Sequence, residues 1–505
     1  MSKLSHRQLV LSLKYSTIEA CFSVPMLNLT LPNLPFVIAF AAQVLHWRAA
    51  EIGVMTALPH LCNFIQPLLM AFLIGRLSHY RTLILSFTLS ALPWGIAGFM
   101  PWAGDAVDPL FIGVLIAATL ANSIASVAWS TAISEVVPPQ ISGRYFGRRN
   151  LIFGVWTLLV VFATGWAVGR AGNTLAAFAF VFAVAGLARL IGLLFLSRMS
   201  FPRTVMEPQR QALSFADMRD VLRDQNYSRL VLFVGVWGLL INAAMPFYTV
   251  FLIRRLDMGV AEIVQLTTLA SLGGLISLKA WGRLCDQFGN RPVLQVCAII
   301  WAAIAFTLWM FVGPRWHWQL FPGYFAIGAV TAGFQLAQFN LMLKLAPTDK
   351  RAPAVAVFLA FTSLLTAVGP LLAGQLLSRL PDVLGQCFGQ PITRFHLLFA
   401  LSAAGCLLAT LLAAQVREPA EKPAENVWRA MRGMRTFNPM LSLQSVGELM
   451  LTPRGLLALA RRSFHSARQQ VRAIGEVGEG IVEGSAEVVR KKLFRPRDPR
   501  GGSLP

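Results

Sequence analysis

The residues that could do chemistry in this chain are mostly uncharged amides and aromatic side chains, set singly into apolar stretches. The six cysteines lack the spacing of a metal site or a redox pair, and the seven histidines are equally dispersed. The sequence contains no Gly-x-Ser-x-Gly motif, no Ser/Lys constellation and no Gly-x-x-x-x-Gly-Lys-[Ser/Thr] loop. We therefore predict no catalytic residue, no metal site, no cofactor and no ATP-driven step. Amides and aromatics suit a neutral or amphipathic organic ligand.

Two ionisable residues lie inside apolar stretches. Arg189 interrupts "AGLARLIGLLFL", where an arginine costs about 2.5–3.5 kcal/mol on insertion scales. It either snorkels to the membrane surface over a long reach or has an internal partner. Glu19 lies near the start of the first apolar stretch, where it is either a proton-coupling carboxylate or an interfacial charge.

The composition indicates an integral membrane protein. Hydrophobic residues make up 56% of the 505 residues and charged residues 13%, whereas soluble domains carry about 25% charged residues. Continuous apolar runs favour helices over a β-barrel, whose strands would alternate. We predict about twelve spans, at 16–44, 50–74, 81–101, 108–134, 150–169, 174–198, 228–252, 260–281, 292–312, 317–345, 353–378 and 393–415.

The net charge of +21 is distributed in a way that argues against nucleic-acid binding. Most Lys and Arg residues fall at the N-terminus, in the even-numbered connections and in the tail. Such a bias places those segments on the cytoplasmic side. We therefore predict a multi-pass protein with both termini in the cytoplasm. The basic N-terminus lacks a cleavage site, so the first span should be retained.

A short polar sequence occurs twice, after corresponding spans. Gly75-Arg76-Leu77 follows the second span, and Gly282-Arg283-Leu284 follows the eighth. Prolines at 138 and 347 follow the fourth and tenth spans. This pattern predicts two six-helix halves in the same orientation, as parallel duplication produces in many transporters.

The stretch "GRLCDQFGNRPVL" resembles the motif G-x-L-x-D-x-x-G-R-[KR] of the major facilitator superfamily. The matching positions are Gly282, Leu284, Asp286, Gly289 and Arg291. Asn290 stands where the first basic residue is usual, and in the first-half copy His79 replaces the Asp. "RYFGRRN", at 144–150, also resembles a loop that opens the fifth helix of this family.

The resemblance implies an all-α integral membrane protein with two six-helix bundles related by a pseudo-twofold axis along the membrane normal. It implies secondary-active or facilitative transport of a small organic solute by rocker-switch alternating access. We expect a monomer in the bilayer of a bacterial inner membrane, with a proton as the candidate coupling ion, and no enzyme activity. The alternative is a transporter-like sensor or assembly factor that acts through the C-terminal tail.

By the same resemblance, helices 1, 4, 7 and 10 should line a polar cavity near the membrane midplane. Prolines at 25, 32 and 35 interrupt the first span beside two asparagines. The second span contributes a pair of polar residues on one face. The candidates are Asn28, Asn33, His60, Asn63, Asn122, Trp129, Asn242, Tyr248, Gln335 and Gln338. Each could instead join helices together, usually for less than about 1 kcal/mol.

The repeated polar loops are candidates for a conformational switch. We hypothesise that Asp286 contacts the start of the fifth helix near Arg148 and Arg149, and that this contact holds the outward-open state. A carboxylate is favourable at a helix N-terminus, and an arginine can donate two parallel hydrogen bonds to a carboxylate. Both effects favour such a contact. The alternative is a positively charged anchoring loop. The candidates are Gly75, Arg76, His79, Arg144, Arg148, Arg149, Gly282, Arg283, Asp286, Gly289 and Arg291.

Four segments are expected: a first bundle at 1–198, a cytoplasmic linker at 199–227 with one short surface helix, a second bundle at 228–415 and a basic tail at 416–505. In the tail, Thr452 and Pro453 predict the start of an amphipathic helix. Such a helix could lie on an anionic membrane surface, pair with a partner, or be a dispensable appendage.

Overall fold

A computed structural model describes residues 5–207, 215–313, 317–347, 350–387, 390–419, 421 and 423–433. The amphipathic helix predicted after Thr452 lies outside these residues. The described chain is almost entirely helical, apart from one short hairpin.

The first span is built from separate pieces. Helix α1 (His6–Leu29) begins at Ser5, whose hydroxyl caps the Gln8 amide while the Gln8 side chain caps the Ser5 amide. It ends where Pro32 and Pro35 follow, since proline cannot continue the hydrogen-bond ladder. The chain resumes as α2 (Pro35–Ala39) and a π-helical turn, Phe40–Val44. The predicted interruption of this span therefore lies at residues 30–34.

The rest of the first half contains five long helices. They are α3 (Ala49–Arg76), α4 (His79–Ala97), α5 (Val107–Val136), α6 (Pro139–Arg170) and α7 (Leu175–Ser197). Helix α6 starts earlier than the predicted span at 150, because Pro139 at its first position is preorganised for a helix. The segment "RYFGRRN", expected to be a loop, is therefore helical, and it includes Arg144, Arg148 and Arg149.

Two short helices, α8 (Arg203–Met206) and α9 (Phe215–Arg223), occupy the described part of the linker, where one was expected. The second half contains α10 (Gln225–Leu256), α11 (Val260–Phe288), α12 (Asn290–Phe311), α13 (Leu320–Leu345), α14 (Arg351–Arg379) and α15 (Arg394–Ala414). A hairpin of β1 (Val383–Cys387) and β2 (Gln390–Thr393), which the sequence did not predict, precedes α15. Helix α16 (Ala424–Gly433) follows it.

Helix packing repeats between the halves. Helix α4 packs on α5 and α7, and α1 packs on α6 and α7. In the second half, α12 packs on α13 and α15, and α10 packs on α14 and α15 in the same way. The pair α3 and α5 corresponds likewise to α11 and α13. The molecule therefore consists of two six-helix bundles related by a pseudo-twofold axis, as the sequence duplication predicted.

Nine of the described helices are long and apolar enough to cross a membrane. The helices over the first three predicted spans are not among these nine. Those helices carry charged or titratable side chains, including Lys14, Glu19 and Arg81. The repeated packing gives them the same positions as apolar helices of the second half.

The polar loops expected after the second and eighth spans are shorter than predicted. Gly282, Arg283 and Asp286 lie within α11, and Gly289 alone joins that helix to α12. Gly289 has φ +98°, a conformation that favours glycine because other residues meet a steric penalty there. In the first half, Gly75 and Arg76 end α3, and His79 begins α4.

Candidate functional site

A cavity of about 470 Å³ lies between the two halves. None of its described lining residues is charged. Its polar and aromatic lining comprises Asn28, Asn33, Thr157, Tyr248, Thr249, Thr267, Thr268, Ser271, Trp309, Tyr324, Thr331 and Gln335. The break between α1 and α2 lies between the two asparagines, so each is held by a separate piece of the first span.

Some polar atoms at this cavity are free to bind a solute. Asn28 donates its amide hydrogen to the Val24 carbonyl at 2.9 Å, and Thr268 donates to the Val264 carbonyl at 2.8 Å. By contrast, the Tyr248 hydroxyl and the Asn33 Oδ1 atom have no hydrogen-bond partner among the described residues. The Thr157 hydroxyl and the Trp309 Nε1 atom lack partners in the same way. A buried polar atom without a partner is costly, so these four atoms are the cavity's strongest candidates for contacting a ligand.

Aromatic rings form one wall of the cavity. The Tyr248 ring stacks on Trp309 with centroids 4.1 Å apart and planes 5° apart. Phe399 packs on both rings, at 4.6 Å and 5.4 Å, and Tyr324 meets Trp309 edge-on at 6.1 Å. A rigid aromatic wall of this kind offers an apolar face together with a polar hydroxyl.

Only some of the predicted cavity residues lie at the cavity. Asn28, Asn33, Tyr248 and Gln335 line the cavity. His60 and Asn242 instead interact with each other from opposite halves. Asn63, Asn122 and Gln338 are half-buried and lie outside the cavity lining. Trp129 lies beneath the Arg149 guanidinium, 4.3 Å from it.

A buried charge cluster lies within the first half, made by Glu19 and Ser23 of α1, Arg149 of α6 and Arg189 of α7. Glu19 lies 3.8 Å from each arginine. Ser23 donates a hydrogen bond to Glu19, and Arg189 donates to the Ser23 hydroxyl at 2.7 Å. Arg189 therefore has an internal partner, which was one of the two alternatives left open by the sequence. Arg149 and Ser23 were not anticipated as part of this cluster.

The charge cluster carries an excess of positive charge. Two guanidinium groups face one carboxylate, and Arg189 also lies 3.6 Å from the Phe87 ring centroid. The Nε atoms of both arginines and one Glu19 oxygen lack hydrogen-bond partners among the described residues. Glu19 is 2% exposed and the Arg149 side chain 11%. Arg149 is thus the member through which the cluster can meet solvent or a solute.

The two halves meet closely on one face of the molecule, here called the closed face. A Cβ atom on Gly53 of α3 would lie 2.4 Å from the Pro370 carbonyl oxygen, and one on Gly374 would lie 2.7 Å from the Ala49 carbonyl oxygen. Across the same junction, Arg254 donates to the Trp47 carbonyl at 2.5 Å. The backbones therefore approach to a distance that only glycine permits.

The second junction between the halves, formed by α6 and α11, closes at the same face. A Cβ atom on Gly165 would lie 2.8–3.0 Å from Val264. Further along the same helices, a Cβ atom on Gly154 would lie 3.8 Å from its nearest neighbour, Leu275. The α6–α11 junction is therefore tight at the closed face and loosens towards the end of the molecule that holds Ser12 and Glu418, here called the terminal face.

The predicted switch residues are dispersed at the terminal face. Asp286, Arg283 and Arg148 are exposed. In the described part of the chain, no ion pair joins Asp286 to Arg148 or Arg149. Arg76 lies over the Phe72 ring at 4.2 Å, and His79 is buried. The contact hypothesised between Asp286 and α6 in an outward-open state stays a prediction.

Arg291 and Asn290 meet a carboxylate that sequence reasoning missed. Glu418, just after α15, accepts hydrogen bonds from the Arg291 amide at 2.7 Å, the Asn290 amide group at 2.9 Å and Lys344 at 2.8 Å. Burial raises the pKa of Glu418, but these hydrogen bonds outweigh it, and the pKa lies below its usual value. Arg291 also pairs with Glu421. The only sequence signal was the change to polar composition at 417.

An uncharged cavity between two related helical bundles that close on one face defines a transporter that works by alternating access. The sequence profile of the Major Facilitator Superfamily matches residues 20–278 and, a second time, 232–470. The chain belongs to this superfamily. It is a multi-pass membrane protein that transports small solutes.

Solved structures share the fold at low sequence identity. The nucleoside transporter NupG aligns with a TM-score of 0.62 and 12% identity, over 81% of this chain and 98% of that one. The inward-open xylose transporter XylE from E. coli gives 0.61 and 14%, over 83% and 99%. A bacterial homologue of the iron transporter ferroportin, in its inward-facing state, gives 0.58 and 16%, over 82% and 99%. A search of curated proteins finds no match.

Proposed function

We propose that this transporter carries a neutral polar or amphipathic organic solute and couples its movement to a proton. The observation that supports the first part is the lining of the central cavity, whose described residues include amides, hydroxyls and aromatic rings but no charge. A charged solute would lose its hydration there without a counter-charge, which is expensive. A neutral solute can hydrogen-bond to Tyr248 and Asn33 and stack on the aromatic wall.

The proton is assigned to Glu19. Among the described residues, it is the only acidic residue that is buried within a predicted span. Its carboxylate lies 3.8 Å from each of two arginines. Arg149 is the more exposed of the two and is the candidate to leave when a solute binds. The cluster would thereby make proton binding depend on solute binding.

The orientation follows from the charges at the terminal face. Arg76, Arg148 and Arg283 are exposed there, and exposed basic residues favour the cytoplasmic side. We therefore propose a bacterial inner-membrane protein with both termini in the cytoplasm, so that the structure represents an inward-open state. We further propose that it acts as a monomer, that its halves divide at residues 198 and 228, and that it performs no chemical conversion.

The first experiment tests alternating access. In a cysteine-free background, Thr268→Cys in the cavity is labelled with an impermeant maleimide from either side of the membrane. Gly53→Leu should shift labelling at least about fivefold towards the closed face, because the leucine cannot fit against Pro370. Gly113→Leu is the matched control, since Gly113 of α5 is exposed and has open space around it. Equal labelling of all three proteins would refute the mechanism.

The second experiment tests solute class and coupling. Proteoliposomes are supplied with radiolabelled uridine or xylose, the solute classes named for two structures of similar fold, and with the cation tetraphenylphosphonium. We expect uptake of a neutral solute, a several-fold response to an imposed pH gradient, and no cation uptake. Glu19→Gln should abolish the pH response while solute exchange persists. Glu135→Gln, at an exposed carboxylate, should behave as wild type. Cation uptake alone would overturn the proposal.

A further inference from the structure

A cavity of about 580 Å³ lies in the first half at the closed face, between the start of α3 and the start of α5. It is called here the outer pocket. Its charged end is formed by Arg48, Glu51 and Asp108, beside His46. Its apolar wall is formed by Val54, Met55, Leu58, Ile112, Leu115 and Ile116. The outer pocket and the central cavity share no described lining residue, so they are separate sites.

The outer pocket opens on a side of α3 that faces away from the second half. Gly53 and His60 both contact the second half, so they mark the side of α3 that faces it. At about 100° per residue, Val54 in the pocket and Ile65 and Phe72 further along the helix lie about 110–130° around from that side. Their side chains are 56%, 44% and 54% exposed.

The exposed row of Val54, Ile65 and Phe72 has the length of a lipid-facing surface. It spans about 27 Å at 1.5 Å per residue, close to the thickness of the hydrocarbon core, about 30 Å. Two polar residues of the same helix, Thr56 and Asn63, lie about 50–70° around in the other direction from the side that contacts the second half. The apolar row therefore borders lipid. The charged end of the outer pocket lies where α3 and α5 begin, level with the lipid head groups.

The charged end of the outer pocket carries both signs. Arg48 contributes a positive charge, and Glu51 and Asp108 contribute two negative charges; all three side chains are exposed. Glu51 accepts a hydrogen bond from the Arg48 amide, and Asp108 accepts one from the Trp47 indole at 2.9 Å. Each carboxylate keeps a second oxygen for a ligand. Within the described part of the chain, the Arg48 guanidinium forms no ion pair.

A phospholipid with an ethanolamine head group has the complementary chemistry. Its phosphate can pair with Arg48, its ammonium can pair with Glu51 or Asp108, and its acyl chains can lie on the apolar wall. Charge-assisted hydrogen bonds of this kind are stronger than neutral ones. Phosphatidylglycerol also brings a phosphate, but it has no cation for the two carboxylates. A water-soluble ligand would leave the apolar wall in contact with nothing of its own.

The outer pocket shares two residues with the junction between the halves. Trp47, whose indole contacts Asp108 in the pocket, accepts a hydrogen bond from Arg254 at its carbonyl oxygen. Ala50 lines the pocket and donates its amide hydrogen to the Ser378 hydroxyl at 3.1 Å. A ligand that holds this end of α3 therefore acts on residues that join the two halves.

We propose that the outer pocket binds an ethanolamine phospholipid from the surrounding leaflet and that the bound lipid stabilises the closed face. A ligand shifts an equilibrium only through a difference in its affinity for the two states. The difference arises at Trp47 and Ala50, which contacts with the second half hold in place at the pocket only while this face is closed. The inference depends on neither the proposed solute nor the proposed proton.

The binding test uses the full chain in nanodiscs of phosphatidylglycerol that contain a small fraction of a photoactivatable lipid. One probe is a phosphatidylethanolamine and the other a phosphatidylglycerol, each with a diazirine in an acyl chain. Crosslinked peptides are mapped by mass spectrometry. We expect the ethanolamine probe to label residues 48–58 and 108–116 at least about fivefold more than the glycerol probe, and unlabelled phosphatidylethanolamine to compete. Equal labelling by the two probes would indicate surrounding lipid only and would overturn the inference.

Two variants alter the outer pocket, and each has a matched control. Val54→Trp fills the apolar wall from an exposed position, and Arg48→Gln removes the positive charge. Each should lower labelling by the ethanolamine probe at least about threefold. Ile65→Trp, on the same exposed row but outside the pocket lining, and Arg379→Gln, at the exposed end of α14, should leave it unchanged. Unchanged labelling in both pocket variants would remove the binding site.

The effect on the closed face is measured with the Thr268→Cys maleimide assay in liposomes of phosphatidylglycerol, with and without phosphatidylethanolamine. We expect the ethanolamine lipid to lower labelling from the closed-face side at least about threefold. Adding Arg48→Gln or Val54→Trp should abolish this difference, whereas Ile65→Trp should keep it. If the probe labels the pocket but cavity accessibility does not change, the site stands and its regulatory role is wrong. An equal lipid effect in the pocket variants would assign the effect to the membrane as a whole and overturn the inference.

Discussion

The two halves share one scaffold, but they fill its interior differently. In the first half, Phe182 on α7 packs on Trp94, and Arg189 follows seven residues later. In the second half, Phe399 on α15 packs on Trp309, and Cys406 occupies the position seven residues later. Cys406 is fully buried. One half thus buries an arginine where the other buries a small thiol.

At the terminal face the charged contacts lie in the second half, and the corresponding contacts of the first half are uncharged. The end of the second half is fixed by the Glu418 cluster of charged hydrogen bonds. The corresponding end of the first half is fixed by the Ser200 amide, which donates to the Ser12 hydroxyl at 3.0 Å, and by the Tyr80 and Phe201 rings. The fold therefore needs charge at neither position. The proposed coupling to a proton would account for the buried charge in the first half.

The largest expected effect comes from making the first half resemble the second. Arg189→Cys leaves Glu19 buried with Arg149 as its remaining cationic partner, and removing one member of a buried pair costs about 3–5 kcal/mol. Unfolding of the purified protein in detergent measures the change. Adding Glu19→Gln to Arg189→Cys should recover part of the loss, because it removes a buried carboxylate that has lost one of its two arginine partners.

The matched control lies at the equivalent position of the second half. Cys406→Ala removes one buried sulfur and should cost less than about 2 kcal/mol, as small core truncations do. If both variants lose the same stability, the charge cluster is an ordinary packing element and the contrast between the halves disappears.

An intermediate effect is expected at Glu418. Its folded-state pKa is depressed, so its contribution to stability is fully present above the unfolded pKa of about 4.3. That contribution is lost as the pH falls through the lower folded-state value. Glu418→Gln should cost about 1.5–3 kcal/mol at neutral pH, the range for hydrogen bonds to charged groups. The difference from wild type should shrink below pH 4 in melting curves.

Glu425→Gln is the control, because Glu425 of α16 is 82% exposed and forms only a surface pair with Arg429. It should melt like wild type at every pH. A Glu418→Gln variant whose deficit persists unchanged at pH 3 would contradict the assigned role of the carboxylate.

The smallest effect on stability is expected at Tyr248. The aromatic cluster of the first half is built from phenylalanines and Trp94, so Tyr248→Phe makes the second cluster more like it. Because the hydroxyl has no partner among the described residues, its removal should leave stability unchanged or slightly raised. Solute affinity should fall about tenfold, which corresponds to about 1.4 kcal/mol. An unchanged affinity would remove Tyr248 from the binding site.

The helices were largely predictable, because apolar runs bounded by polar loops define them and the repeated Gly-Arg-Leu exposes the duplication. The first and last residues of the helices were harder to predict. Pro139 reads equally as a loop residue or as the first residue of α6, and the hairpin at 383–393 carries no strong alternating pattern. Periodicity marks the apolar part of a helix, whereas the polar first turns of α6, which begin at Pro139, carry no such signal.

The candidate site was predictable only in part. Asn28, Asn33, Tyr248 and Gln335 were recognisable as amides or an aromatic in helices expected to face the cavity. Thr157 and Thr268 were missed, because a threonine often bonds to its own helix, as Thr268 does with Val264, and so looks unremarkable in an apolar run. The pairing of Glu19 with Arg189 depends on the relative rotation of two helices distant in sequence, which composition does not encode.

The interruption at residues 30–34 divides the first span into two segments that pack on different helices. Helix α1, which holds Glu19, packs within its own bundle on α6 and α7, whereas α2 also touches α10 and α11 of the other half. A few residues thus form a hinge between the segment that holds Glu19 and the segment that packs on the opposing bundle. Opening the closed face can tilt α2 without moving Glu19 from its arginines, and under the proposed coupling to a proton this hinge would set how tightly proton release follows gate movement.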